Sequence, residues 1–173
     1  MNNHEYLSQY SKEQLMDLLD IYAKNWLAMD GVWFQSVERR FGMEEALFHD
    51  AEAWKRFTVI EAQRIKDFLQ LPPAPGLEGL AQALRLRFYA NLNRDKLEWE
   101  EDGALVYTMV DCRVQRARQG KDMPFHPCKP VAILEYQGFA QTIDPRITCE
   151  CLSCYPEITD PACCCKWRFR LSE

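Results

Sequence analysis

The spacing of apolar residues along the first half of the chain predicts long helices. Within residues 12–41, large apolar side chains recur every three or four positions. They form one stripe, which comprises Leu15, Leu19, Tyr22, Trp26, Met29, Trp33, Val37 and Phe41. Ser11, followed three residues later by Gln14, forms a capping box that predicts where this helix begins. Gly42 suits the cap at its C-terminal end.

Two further helices are expected before the middle of the chain. Residues at helical spacing predict a second helix over 43–69. The prolines within 71–76 end it, because proline lacks an amide proton and clashes with the preceding turn. The segment 77–93 predicts a third helix, so residues 1–93 are expected to form a helical half of the molecule.

Beyond residue 93 the pattern changes to that of strands. Asp102 and Gly103 separate two runs of strand-forming residues, which predicts a β-hairpin. A basic segment at 113–123 follows as a connection or short helix, then a helix from about Cys128 to Ile143, then a second hairpin. The pattern predicts one α+β domain over 1–173, in which 94–173 form an antiparallel sheet carrying one helix.

Composition and charge exclude several classes of function. The chain is 47% hydrophobic with a net charge of −5, which is typical of a globular protein and gives no reason to expect nucleic-acid or membrane binding. No apolar run approaches the ~18 residues of a membrane helix, and the polar N-terminal segment lacks the pattern of a secretory signal. We therefore expect a cytoplasmic protein whose thiols stay reduced, which disfavours disulfides.

The cysteines are concentrated in the second predicted hairpin, where six of the eight lie between residues 149 and 165. Because side chains alternate across a strand, Cys149 and Cys151 share one face of its first strand. Cys163 and Cys165 likewise share one face of its second strand. Several thiols should therefore converge at the loop end of this hairpin.

A metal site is the favoured interpretation of this cluster. Cys151 and Cys154 have the Cys-x-x-Cys spacing at which two sulfurs reach one tetrahedral ion. Cys165 can supply a third ligand, and Cys128 a fourth, because a helix N-terminus favours the thiolate that binds metal. His126 could replace one of these cysteines, and any single cysteine could instead be a small buried apolar residue. Zinc is the expected cofactor.

The order of these cysteines resembles that of the vinyl-reductase-type small-ligand-binding domain. A cysteine opens a helix, Cys-x-x-Cys ends the following strand, and the last strand begins as "CKWRF". In phenol-sensing transcriptional regulators this domain holds zinc. The resemblance implies the zinc ligands Cys128, Cys151, Cys154 and Cys165. The phenol sensors have a glutamate where Cys151 stands, so the site expected here carries more negative charge.

Two further resemblances concern longer parts of the chain. The segments 30–42, 54–65, 111–118 and 135–147 resemble a family of bacterial cytosolic proteins without a known activity. The C-terminal half is similar to the aminothiazoline-carboxylate hydrolase family, with Cys112, Cys128 and Cys165 in corresponding order. This likeness implies an alternative function, hydrolysis of a small cyclic amide-like or thiazoline substrate. Cys112 is the candidate nucleophile, although a thiol in the core is the simpler role for it.

Carboxylates interrupt the apolar faces of the two long helices. With neighbouring tryptophans they could line a ligand pocket, in which burial would raise a carboxyl pKa. The candidate pocket residues are Asp30, Trp33, Glu38, Asp50, Trp54 and Glu61. Structural ion pairs are the favoured role for these acids. Their candidate partners are Arg56, Arg64, Arg85 and Arg87.

The leading hypothesis is a small-molecule-binding, sensor-like domain with a structural zinc site. Because four thiolates would fill every position on the zinc, the ion would do no chemistry. The alternatives are the hydrolase and an interaction module without a ligand, and a homodimer is expected only by analogy of fold. The sequence leaves open the ligand, any catalysis and the roles of Cys149, Cys163 and Cys164.

Overall fold

Helices form the first half of the structure, a computed structural model that describes residues 3–172. A short helix α1 (Asn3–Leu7) precedes α2 (Lys12–Phe41) and α3 (Met43–Phe68). The capping box is confirmed, because the Gln14 amide donates to the Ser11 hydroxyl and the Ser11 amide donates to the Gln14 side chain. Gly42 joins the two long helices with φ of 92°, a conformation that favours glycine.

The third predicted helix is shorter than expected. α4 (Gly76–Leu84) ends well before residue 93, and a 3₁₀ turn (Phe88–Asn91) follows it. The prediction of a helix to residue 93 was wrong because Arg87 leaves the helical conformation, with ψ of 146°, and buries its guanidinium beside Glu61 and Glu135. Contacts made elsewhere in the fold outweigh the helix propensity of this segment.

The second half contains a four-stranded antiparallel sheet. Strands β1 (Arg94–Trp99) and β2 (Leu105–Asp111) form one hairpin, and β3 (Ile147–Cys154) and β4 (Cys165–Leu171) form the other. The order β1-β2-β4-β3 joins the hairpins through the pairing of β2 with β4. The predicted α+β class, with helices before an antiparallel sheet, is confirmed.

Two helices lie between the hairpins, α5 (Arg113–Gln119) and α6 (Lys129–Ile143). α6 packs between α3 and the sheet, and its Tyr136 ring stacks on Trp167 of β4 with centroids 4.6 Å apart. A Cβ at Gly138 would lie 2.8 Å from a methyl carbon of Thr58, so the close approach of α6 to α3 requires glycine there.

The apolar stripe of α2 lies mostly on the surface. Six of its eight members, Leu19, Tyr22, Trp26, Met29, Trp33 and Phe41, keep 44% to 65% of their area exposed. The buried residues of α2 are Ala23 and Phe34, which lie roughly 65–85° around the helix from the middle of the stripe. Among residues 3–172, no helix is both long enough and apolar enough to cross a bilayer.

Candidate functional site

A cavity of about 350 Å³ lies between the helices and the sheet. α2, α3 and the 3₁₀ turn form one side, and α5, α6 and the inner strands β2 and β4 form the other. Its apolar wall includes Phe34, Trp54, Tyr89, Met109 and Tyr136. A cavity of this size, mostly apolar with a few polar groups, suits a small organic molecule.

The structure brings three of the six candidate pocket residues together at this cavity, namely Asp30, Asp50 and Trp54. Glu38 and Glu61 lie outside its lining and pair with arginines instead. Trp33 is exposed and packs edge-on against His49, with ring centroids 6.0 Å apart.

Asp50 and Asp30 place two carboxyl groups in the cavity wall. Asp50 is only 7% exposed, and its carboxylate lies 3.7 Å from Nε2 of His126, beyond hydrogen-bonding distance. Within residues 3–172, no group donates a hydrogen bond to the Asp50 side chain. Burial and the nearby charge of Asp50 raise the pKa of Asp30 to about 6, an effect that His126 partly offsets.

A buried ion network borders the cavity. The Arg87 guanidinium contacts a Glu61 oxygen at 2.9 Å and a Glu135 oxygen at 2.7 Å. The second contact is poorly aligned for a hydrogen bond, so its attraction is chiefly coulombic. Burial raises the pKa of Glu135 to about 7, although Arg87 opposes this shift. Two carboxyl groups thus share one cation, which leaves an excess of negative charge beside the cavity.

A second ion pair fixes α5 against α2. Both terminal nitrogens of Arg118 donate to Glu38 at 2.9 Å, and Nε of Arg118 donates to the Pro124 carbonyl at 2.6 Å. These bonds lower the pKa of Glu38. Because the pair is bidentate and Arg118 is buried, Glu38 neutralises the charge that Arg118 brings to the cavity wall.

The four candidate zinc ligands meet at the buried thiol of Cys154. Residues three apart on a regular strand would face opposite sides, but a register shift between Cys151 and Ser153 lets Cys151 and Cys154 approach each other. Cys154 is paired in register with Cys165, and its sulfur lies 3.6 Å from that of Cys128. The sulfurs of Cys154 and Cys128 are within hydrogen-bonding distance, and interaction with the Cys154 thiol lowers the pKa of Cys128 and of Cys151 and raises that of Cys154.

The thiol cluster has the donor chemistry that zinc prefers. Two thiolates on a tetrahedral zinc, with Zn–S of about 2.3 Å, lie about 3.8 Å apart. The 3.6 Å between the sulfurs of Cys128 and Cys154 is close to that separation. In the part of the chain that the structure describes, however, no set of three or more His, Cys, Asp or Glu side chains is arranged to hold a metal ion. The Cys128 and Cys154 thiols are hydrogen-bonded to each other.

The cavity and the thiol cluster share a wall, because Cys128 and Cys165 also line the cavity. Cys112, the candidate nucleophile, lines it too, but burial raises the pKa of this thiol to about 12. A protonated thiol is a poor nucleophile, so the environment of Cys112 does not favour catalysis.

Sequence reasoning missed Glu135 and Tyr89, which also line the cavity. Glu135 lies four residues after Val131 and four before Phe139, both of which are buried on α6. The same test that singled out Asp30, a carboxylate at apolar helical spacing, would have found it. Tyr89 carries no such signal, because its position depends on the 3₁₀ turn.

The fold and the site define an α+β protein with a cavity between its helices and its sheet, beside a cluster of thiols. Residues 8–171 match a family of unknown function (DUF6125), and the chain belongs to that family. The fold is similar to that of a trafficking protein particle complex subunit 3 from Naegleria fowleri, solved covalently bound to palmitic acid. That match has a TM-score of 0.51 and 11% identity, covering 91% of this chain and 97% of the other. At this identity it shows the fold alone. No curated protein matches the sequence.

Proposed function

We propose that this protein is a small-molecule-binding, sensor-like domain whose C-terminal hairpin is held to α6 by zinc. The cavity is the observation that carries the proposal, since its volume of about 350 Å³ and its aromatic lining suit a small organic ligand. Cys128 and Cys165 belong both to the cavity wall and to the thiol cluster. A ligand in the cavity would therefore lie against the metal site.

The zinc would be held by Cys128, Cys151, Cys154 and Cys165. Four thiolates leave no open position for water or substrate, so its role would be structural. The ion would connect the first turn of α6 to both strands of the β3–β4 hairpin, in agreement with the resemblance to zinc-holding domains of the vinyl-reductase type.

The raised pKa of the buried Cys112 thiol favours a binding function over hydrolysis. A cysteine hydrolase needs a thiolate and an adjacent base, whereas burial raises the pKa of this thiol to about 12. The third alternative, an interaction module without a ligand, makes a different prediction, namely that filling the cavity has no effect on the binding of any small molecule.

The test fills the cavity from α2. Gly31 lines it, and a Cβ added there meets no atom within 4 Å, so Gly31→Leu places a side chain in the open space. The probe is N-phenyl-1-naphthylamine, a neutral fluorophore whose emission rises in apolar surroundings. We expect saturable binding to the wild type that Gly31→Leu weakens at least tenfold, because the space is occupied.

Ser36→Leu is the matched control, since Ser36 lies on the same helix, is exposed and does not line the cavity. It adds the same side chain outside the site and should leave probe binding unchanged. Equal binding to the wild type and to Gly31→Leu would show that the probe attaches to the exposed apolar surface, and would overturn the proposed function.

A further inference from the structure

We propose that the cavity selects an organic cation, an amine or amidine whose N–H groups are received by Asp30 and Asp50. The inference rests on the proposed function and deepens it by naming the class of ligand. The observation behind it is that two carboxyl groups lie in the wall of a cavity that is otherwise largely aromatic and apolar. Within residues 3–172, no group donates a hydrogen bond to either of these side chains.

Asp50 is the central observation. Its side chain is nine-tenths buried and lines the cavity, yet it accepts no hydrogen bond from residues 3–172. Its nearest cationic candidate, Nε2 of His126, is 3.7 Å away. Since the Asp50 oxygens are not among the fully buried polar atoms, water in the cavity can hydrogen-bond to them. A ligand that donates N–H bonds would replace this water.

Asp30 adds a second acceptor at the same place. It faces the cavity from α2 while Asp50 faces it from α3, and the two interact strongly enough for the charge of Asp50 to raise the pKa of Asp30. Repulsion between the two carboxylates is relieved when a cation lies between them. Two acceptors on opposite helices suit an ammonium or amidinium group, which carries several N–H donors.

The aromatic wall completes the preference for a cation. The rings of Trp54 and Tyr89 stack with centroids 5.6 Å apart, and both line the cavity together with Phe34. Aromatic faces attract cations, most strongly where water is excluded. An aromatic or alkyl amine could therefore place its charge at the carboxyl groups and its apolar part against these rings.

The basic residues around the cavity do not cancel this negative charge. Arg118 is paired with Glu38, and Arg87 is shared between Glu61 and Glu135. Three of the remaining basic lining residues, Lys24, Arg113 and Lys121, have exposed side chains. The fourth, His126, has its Nε2 3.7 Å from the Asp50 carboxylate, too far to donate a hydrogen bond to it. The ligand should be organic rather than a metal ion, because the wall around the two carboxyl groups is largely aromatic and apolar.

The experiment uses three ligands of similar size that differ in charge, namely 2-phenylethylamine, 2-phenylethanol and phenylacetate. Each competes with N-phenyl-1-naphthylamine on the wild-type protein at pH 7.5. We expect the amine to displace the probe at a concentration at least about tenfold lower than either of the others, as charge-assisted hydrogen bonds predict. Asp50→Asn and Asp30→Asn should each reduce this tenfold preference towards equality.

Controls separate the ligand class from the existence of the site. Displacement from each variant is expressed relative to the affinity of the probe for that variant, so a change in probe affinity does not count as a change in preference. Asp17→Asn, on the exposed side of α2, should retain the preference for the amine. Equal displacement by all three ligands, or tighter binding of phenylacetate, would overturn the inference while the effect of Gly31→Leu still supports the proposed function. Loss of that Gly31→Leu effect would overturn both.

Discussion

Burial of a single carboxyl group, that of Asp30, lowers the stability of the fold at neutral pH. Burial on α2 raises the pKa of its carboxyl from the ordinary value of 3.8 to about 6. The folded state therefore holds the Asp30 proton more tightly than the unfolded chain does. The stability that this proton gives is present in full below about pH 4 and is lost as the pH rises through 6.

Asp30→Asn should therefore stabilise the empty protein at pH 7. The shift from 3.8 to about 6 corresponds to at most about 3 kcal/mol, and partial contact with solvent reduces the expected gain to about 1–2 kcal/mol. Urea unfolding at pH 4 and pH 7 measures it. The gain should be present at pH 7 and small at pH 4, where the carboxyl is protonated in the folded state and about two-fifths protonated in the unfolded chain.

Asp17→Asn is the control for Asp30→Asn, because Asp17 lies on the exposed side of the same helix. It should change the free energy of unfolding little at either pH. A loss of stability in Asp30→Asn at pH 7 would mean that the carboxylate has a stabilising partner, contrary to the structure.

The thiols illustrate what residue spacing can and cannot predict. The Cys-x-x-Cys pair and the alternation of strands are visible in the sequence and indicate that several cysteines gather at the end of one hairpin. The register shift between Cys151 and Ser153, which lets Cys154 join the cluster, is a backbone irregularity that no side-chain pattern specifies. The cavity likewise depends on Arg87 and the 3₁₀ turn, which a uniform helical pattern concealed.

At the scale of elements, predictions were most accurate where local chemistry and packing agree. The ends of α2 and α3 follow from the Ser11 capping box, Gly42 and the prolines after residue 70. Asp102 and Gly103 mark the β1–β2 turn, where Gly103 has φ of 82°. α4 was predicted too long because burial of one arginine by two distant carboxylates decides where it ends.

The proposed zinc site makes a prediction at the scale of elements, because the ion would join α6 to the β3–β4 hairpin. Protein purified without an affinity tag should contain about one equivalent of zinc, and chelation should increase amide hydrogen exchange in β3 and β4 while leaving α2 and α3 protected. Mass spectrometry of metal content and of exchange provides the two measurements.

A matched pair of variants makes the zinc test specific. Cys151→Ala should lower the zinc content severalfold. Cys149→Ala, two residues earlier on the same strand, should leave it unchanged because Cys149 is paired in register with Phe169, away from the Cys154–Cys165 end of the hairpin. Less than about half an equivalent of zinc in the wild type, with no iron, would contradict the proposed zinc site.

At the scale of the whole molecule, the exposed stripe on α2 is the feature that the fold leaves without a partner. The helix has 30 residues and is about 45 Å long, so the stripe covers several hundred square ångströms of apolar surface. Exposed apolar patches of that size mark interaction sites, and a standard interface takes about 800 Å² from each partner. Trp26 stacks on Phe57 of α3 and Trp33 packs against His49, but these contacts leave about half of the area of both rings exposed.

We expect a second copy of the chain to cover this stripe. The apolar side chains of the stripe can be recognised through their shape and their apolar area, but not through complementary charge. A two-fold axis across α2 would pair the stripe with the same stripe of a second copy, which has the same length. Leu19→Glu and Met29→Glu should convert a dimer into monomers in light scattering coupled to gel filtration, because each buries a charge in the interface. Leu86→Glu alters an equally exposed apolar residue outside α2 and should leave the dimer intact. A wild-type protein that is monomeric at concentrations of about 100 μM would contradict this assignment, since an interface of standard size usually binds more tightly than that.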